Sequence, residues 1–268
     1  MSFLNLANKN YLILGVANKK SVAANIARII IEEGGTPIFS VEDESKVLSV
    51  KKLFGAKYDV YQADLSKKAD IKQLAAKVSA GYEQIDGIVH SVAFANYSKG
   101  LTPFHDIDKN DFLQAIDISC FSLIAVANEF KDIIAKDGSV VTVSISATSI
   151  AAENYGYMAP IKAALDSSIA FLTKSFSSFS NIRFNAVAPG LLKTSASAGI
   201  PNYVESYLYA EKIIPRHQGV ATMEAARVAT FLLSDASSGI VAQKIIVDAG
   251  MSINYFDKSI IKATLKPN

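Results

Sequence analysis

The chain has 268 residues, 50% of them hydrophobic, enough for one large core in a single extended α/β domain. Its 27 basic and 25 acidic residues are interspersed and leave a formal net charge of only +2, so no basic stripe points to nucleic acid. The lone Cys120 excludes an intrachain disulfide framework and suits a reducing compartment, and three histidines offer no metal-ligand cluster.

The opening, Met1 to Lys9, lacks a basic region followed by a long apolar run, and no other stretch approaches the ~18 apolar residues of a membrane span. The expectation is a cytoplasmic protein that does not cross a membrane. Strand-like runs then alternate with helical patterns. The first strand, Tyr11–Gly15, enters a turn, Gly15-Val16-Ala17-Asn18-Lys19-Lys20-Ser21, ahead of a helix over Ser21–Glu33 with Ala23, Ile26, Ala27 and Ile30 on one face. Gly15 permits a tight strand-to-helix turn, and the free N–H groups of the helix start, near Ser21 and Val22, suit a pyrophosphate. Only one glycine of a G-x-G-x-x-G pattern is present, so an ordinary turn with Ser21 as N-cap is an equal reading of that segment alone.

The second strand, Thr36–Val41, ends at Glu42-Asp43, where either carboxylate could accept ribose hydroxyls and repel a 2′-phosphate. That favours NAD over NADP. The third, Asp59–Gln62, ends at Ala63-Asp64-Leu65, with Asp64 placed for an adenine amine and Leu65 for the ring face. The fourth, Gly87–Ser91, ends at Ser91-Val92-Ala93-Phe94-Ala95, where small residues allow the backbone to approach a cofactor. His90 reads as a core or cap histidine, and Cys120 as a small buried hydrophobe. Asp108 is an N-cap for a helix from Lys109 into the apolar run 118–127. Strands at Ser139–Ser144, Ile182–Ala188 and Lys244–Asp248, with a helix over Lys162–Ser175, complete a doubly wound Rossmann-type domain with a seven-stranded parallel sheet. The tail beyond Asn254 carries no readable function.

After the fifth strand come Tyr155 and Lys162, with Tyr157 as a second phenol whose direction the spacing leaves open. A phenol can donate to a developing oxyanion, and a nearby ammonium stabilises the phenolate and can hold a ribose hydroxyl. Pro160 suits a first helical turn, so the helix should begin near Ala159 and leave Tyr155 in the preceding loop.

These segments resemble the short-chain dehydrogenase/reductase superfamily, and within it the divergent branch of bacterial enoyl-acyl-carrier-protein reductases. The resemblance rests on Gly15…Ser21-Val22-Ala23, His90-Ser91-Val92-Ala93-Phe94-Ala95, Asp117-Ile118-Ser119 and Tyr155…Lys162. It continues through Asn185-Ala186-Val187…Gly190-Leu191-Leu192-Lys193-Thr194 to Val247-Asp248-Ala249-Gly250, and runs from about Leu6 to Ile253. It implies NADH-dependent reduction of enoyl thioesters on acyl carrier protein in fatty-acid synthesis, in a homotetramer. It also implies that Leu192 and Thr194 border the nicotinamide. The region about 194–213, with Ala196, Ile200 and Tyr203, would form a mobile substrate loop and helix, and Phe94, Ala95 and Ile145 would face the acyl group. The main departure is Ile145, where the branch carries a second tyrosine and the wider superfamily a catalytic serine. Strand alternation points the flanking Ser144 and Ser146 the other way. A reductase of 3-oxoacyl or other carbonyl substrates, and a catalytically weakened cofactor-binding homologue, are the alternatives.

Overall fold

The near-continuous apolar runs Leu12-Ile13-Leu14 and Ile88-Val89 are fully buried, as expected for strands covered on both faces. The computed structural model describes residues 3–151, 156–194, 203–254 and 256–265. Its strands are β1 (Asn10–Leu14), β2 (Thr36–Val41), β3 (Val60–Gln62), β4 (Ile85–His90), β5 (Ile134–Val143), β6 (Arg183–Pro189) and β7 (Lys244–Val247). All pair in parallel, in the order β3-β2-β1-β4-β5-β6-β7. The order reverses between β1 and β4. In such sheets ligands bind beyond the strand C-termini at that switch point.

One face of the sheet is covered by α3 (Lys68–Gly81), α4 (Lys109–Ile116), α5 (Ser122–Phe130) and α6 (Met158–Phe176). The other is covered by α1 (Val22–Glu32), α2 (Glu44–Phe54) and a helix we label α8 (Thr222–Leu233). Between them in sequence lies α7 (Tyr203–Ile213), and α9 (Lys258–Thr264) follows the sheet, N-capped by Asp257. The helices α2 and α3 do not stand out in the sequence. Only Val50 of α2 is buried, so its apolar pattern is faint.

Three expectations are corrected. Strand β5 starts at Ile134, five residues before the apolar run, because the chain stays extended through the polar Lys136-Asp137 and its pairing with β4 shifts register between Ile85 and Gly87. The helix from Lys109 is interrupted by a π-turn, Asp117–Phe121. That 22-residue stretch, Lys109–Phe130, is also long and apolar enough to cross a membrane by length and composition alone; here Ala115, Leu123, Val126, Ala127 and Phe130 are core residues.

Candidate active site

A cavity of about 410 Å³ opens at the switch point. Its rim starts at Gly15, whose φ of +87° and neighbourhood both require glycine: a Cβ there would lie 2.2 Å from the Ser91 carbonyl oxygen. The backbones of β1 and β4 can therefore close together where they leave the sheet. Ser21 caps α1, its Oγ accepting from Ala24 N–H at 3.2 Å and donating to Asn18 O at 2.9 Å, while Ser21 and Val22 still line the cavity. The capping reading of Ser21 thus holds at its hydroxyl. At the end farther from Lys162, Glu42, Asp64 and Leu65 line the cavity. Asp43 is not among the residues that line the cavity. It caps α2, accepting from Lys46 N–H and Ser45 Oγ, contacts that hold its carboxyl down near 2. Lys46, in the first turn of α2, reaches back to Glu42 at 2.6 Å and also lines the cavity, a role that only its spacing of four from Glu42 signals in the sequence. Ser40 Oγ, buried at the cavity wall, has no hydrogen-bond partner among the described residues. An orphaned hydroxyl beside a glycine-only turn and a carboxylate fits a dinucleotide well.

Lys162 marks the other end. It sits in the first turns of α6, only 3% exposed, and donates from Nζ to the Val143 carbonyl at 2.8 Å. Burial pushes its ammonium down to about 8, opposed by the nearby Asp166 carboxylate and by Cys120. His90 lies behind it. His90 pairs through Nε2 with Ser122 Oγ at 2.8 Å and through Nδ1 with Thr142 Oγ1 at 3.0 Å, while Ser122 Oγ donates to Ile118 O at 2.6 Å. Burial, reinforced by Lys162, holds this imidazole down near 3, so it stays neutral as the core histidine expected. Cys120 is likewise buried, and burial raises its thiol.

Near Lys162 the cavity is walled by the segment after β4 together with side chains from later elements. Phe94, Ala95, Tyr97, Ile118, Ile145, Met158 and Tyr203 all contribute. Ser119, placed by the π-turn, donates to Phe94 O at 3.0 Å and accepts from Phe94 N–H at 2.9 Å. Asp111 holds Ser98 through both its N–H and its Oγ. Tyr157 resolves as structural: it is 3% exposed, donates to the Asn96 carbonyl, and packs its ring against Tyr97 and Phe112. Its phenol is spent holding this wall. Contrary to the alternation expected for Ser144, it also lines the cavity beside Ile145, because the chain has left β5 at Val143; its hydroxyl is nonetheless taken by Asp166, and Ile145 offers the cavity only an apolar side chain.

The fold thus gathers Gly15, Ser21, Val22, Glu42, Asp64, Leu65, Ser91, Val92, Ala93, Phe94, Ala95, Ile145, Lys162, Leu192, Thr194 and Tyr203 around one cavity. Tyr155, Ala196 and Ile200 lie outside the described residues. Gly156, next to Tyr155, has a φ of +57°, and a Cβ there would meet the Tyr97 ring at 3.0 Å. Tyr97, Met158 and Pro189 line the cavity without any local sequence signal, because only the tertiary fold brings them there.

Residues 15–252 match the family model described as enoyl-(acyl carrier protein) reductase. The chain is 32% identical to the enoyl-(acyl-carrier-protein) reductase (NADPH) of Staphylococcus aureus, over 92% of this chain and 98% of that protein. It is 31% identical to the NADH-dependent counterpart from Enterococcus faecalis, with 92% and 99% covered. Among solved structures, the enoyl-(acyl-carrier-protein) reductase (NADH) of Aquifex aeolicus superposes with a TM-score of 0.89 at 29% identity, covering 96% of this chain and all of that one. The Bacillus cereus enzyme, solved with NADP+ and an indole naphthyridinone, gives 0.87 at 29% identity, covering 92% and 98%. With the doubly wound sheet, the Gly15 turn and the buried Lys162 in place, the chain belongs to the enoyl-(acyl carrier protein) reductase family.

Proposed function

We propose that this protein is an NADH-dependent oxidoreductase that reduces the 2,3 double bond of enoyl thioesters carried on acyl carrier protein, in fatty-acid synthesis. The observation that carries the reading is Lys162: a buried ammonium, fixed by a strand-end carbonyl, in the same cavity as the glycine-only turn. Gly15, Ser21 and Val22 would receive the pyrophosphate, Asp64 and Leu65 the adenine, and Lys162 the nicotinamide-ribose hydroxyls. Leu192 and Thr194 would border the nicotinamide, with the small Ser91-Val92-Ala93 backbone alongside. Glu42 would accept the adenosine ribose hydroxyls and disfavour a 2′-phosphate.

The dinucleotide, when bound, supplies a hydride for C3 of the enoyl group. Charge then gathers on the thioester oxygen as an enolate, and Tyr155 donates its phenolic proton or a hydrogen bond to that oxygen. Lys162 lowers the cost of negative charge near the phenol. Phe94, Ala95 and Ile145 form the apolar surround of the acyl group, closed by Ala196, Ile200 and Tyr203. With Ile145 apolar and the Ser144 hydroxyl committed to Asp166, Tyr155 acts as the sole hydroxyl donor assigned to the substrate oxygen. The assembly is taken as a cytoplasmic homotetramer; exposed Leu113, Phe121 and Phe171 on the α4–α6 side supply apolar surface for such contacts.

The test follows NADH absorbance with crotonyl and longer enoyl thioesters beside acetoacetyl thioester. Oxidation that depends on the enoyl group is the expected result. Oxidation driven by the ketone would move the activity to a carbonyl reductase, and tight NADH binding without either would leave a cofactor-binding homologue.

A further inference from the structure

Behind the cavity, three elements meet in a polar node that the proposed mechanism does not use. Asp166 lies on α6, one turn beyond Lys162, so the two share a helix face. One carboxylate oxygen accepts from Ser144 Oγ, at the end of β5. The other accepts from Lys244 Nζ at 2.9 Å, on β7. Lys244 also donates to Thr148 Oγ1 at 2.7 Å, in the loop that follows β5. The pair is largely shielded, with side-chain exposures of 15% for Asp166 and 23% for Lys244.

The connectivity gives the node its meaning. Ser144 follows Val143, whose carbonyl holds Lys162 Nζ. Thr148 precedes Tyr155 by seven positions in the sequence. A single carboxylate therefore ties down the residue beside the Lys162 anchor, while its lysine partner ties down Thr148 in the segment after β5. We infer that Asp166, clamped between Ser144 and Lys244, is a positioning residue that orients Lys162 and the 144–151 loop for cofactor and substrate. The inference rests on the assignment of Lys162 to the nicotinamide ribose.

The charges around Lys162 come from several elements. His90 on β4 is neutral, Cys120 on the π-turn carries a thiol raised by burial, and the Val143 and Val92 carbonyls accept from Nζ. Asp166 is the nearby anion that favours the ammonium, and it is itself ion-paired to Lys244. Removing each partner should therefore push Lys162 in opposite directions. Asp166→Asn lowers the pH at which the ammonium is lost; Lys244→Met leaves Asp166 unneutralised and raises it.

The experiment titrates NADH into the full-length protein by fluorescence from pH 6.5 to 9.5, for the wild type, Asp166→Asn, Lys244→Met and the double variant, with thermal melting alongside. Asp166→Asn should weaken NADH about threefold at pH 7.5 and move the alkaline midpoint down by about one pH unit. Lys244→Met should move that midpoint up, and the double variant should return it most of the way. Midpoints that do not move, or that move the same way in both single variants, overturn the inference. If Asp166→Asn fails to fold, Lys244→Met and the double variant carry the same test. Wild-type protein that binds no NADH would instead sink the functional assignment itself.

Discussion

Each end of the cavity has an acid and an amine four residues apart in the chain, Glu42 with Lys46 and Lys162 with Asp166, and the two pairs differ in burial. At the adenosine end Glu42 and Lys46 face solvent, with side-chain exposures of 65% and 39%. At the nicotinamide end Lys162 is buried, with Asp166 one turn along the helix and itself bound to a second lysine. Water screens the first pair, which contributes at most about 1 kcal/mol and can be rearranged by whatever binds. The second lies where the dielectric is low, so its ionisation, geometry and neighbours are coupled. Selectivity between cofactors can thus be adjusted at one end without disturbing chemistry at the other.

Gly15 stands between the ends, and Gly15→Ala should disable both. With a left-handed φ and a Cβ 2.2 Å from the Ser91 carbonyl, the variant should lose about 3 kcal/mol of stability and most NADH binding; unaltered denaturant midpoint and NADH titration would disprove the need for glycine. Tyr155→Phe should strike the nicotinamide end alone, lowering turnover ~100-fold, or about 3 kcal/mol in the barrier, while NADH affinity stays within about twofold. Unchanged turnover would remove Tyr155 from the mechanism.

A pH series separates the ends without mutation. Lys162 ionises near 8, below an ordinary lysine, so its ammonium is present below that pH and lost above it. NADH affinity should fall several-fold, on the order of tenfold, as pH rises from 7 to 9, whereas AMP, which occupies only the adenosine end, should bind equally at both. A parallel decline for AMP would erase the distinction. For stability the sign is opposite. Between about 8 and the ordinary lysine value of 10.5 the unfolded chain holds more protons, so this group's contribution rises with pH across that window. The smallest effect belongs to Glu42→Gln, which should narrow the preference for NADH over NADPH by about fivefold with little change in kcat. Equal use of both cofactors by the unaltered protein would contradict the role given to Glu42.

The sheet was legible because its buried inner strands announce themselves as apolar runs, whereas the short edge strands β3 and β7 are only partly buried and rest on the alternation with helices. Its limits were less so. The polar Lys136-Asp137 masks the start of β5, and no periodicity signals the π-turn inside 109–130. Within the site, Gly15, Glu42 and Lys162 were readable because each sits at a strand end or a motif spacing. The choice between Glu42 and Asp43 needed coordinates, since either carboxylate could cap a helix or meet a ribose. Tyr157 needed them too, because only the fold brings the Asn96 carbonyl to its phenol. Lys244 was invisible for the same reason: its partners lie 78 and 96 residues away.

The π-turn carries a consequence for how this fold tolerates change in length. It brings Ser119 round to grip Phe94 by both backbone groups, so the acyl wall takes its alignment from the angular phase of a helix and not from the sheet. One residue added to or removed from α4 would rotate everything downstream by roughly 100° and unhook that grip. Drift in length should therefore be absorbed in the flanking loop 99–107, leaving the count from Asp108 to Ser119 fixed like the teeth of a gear.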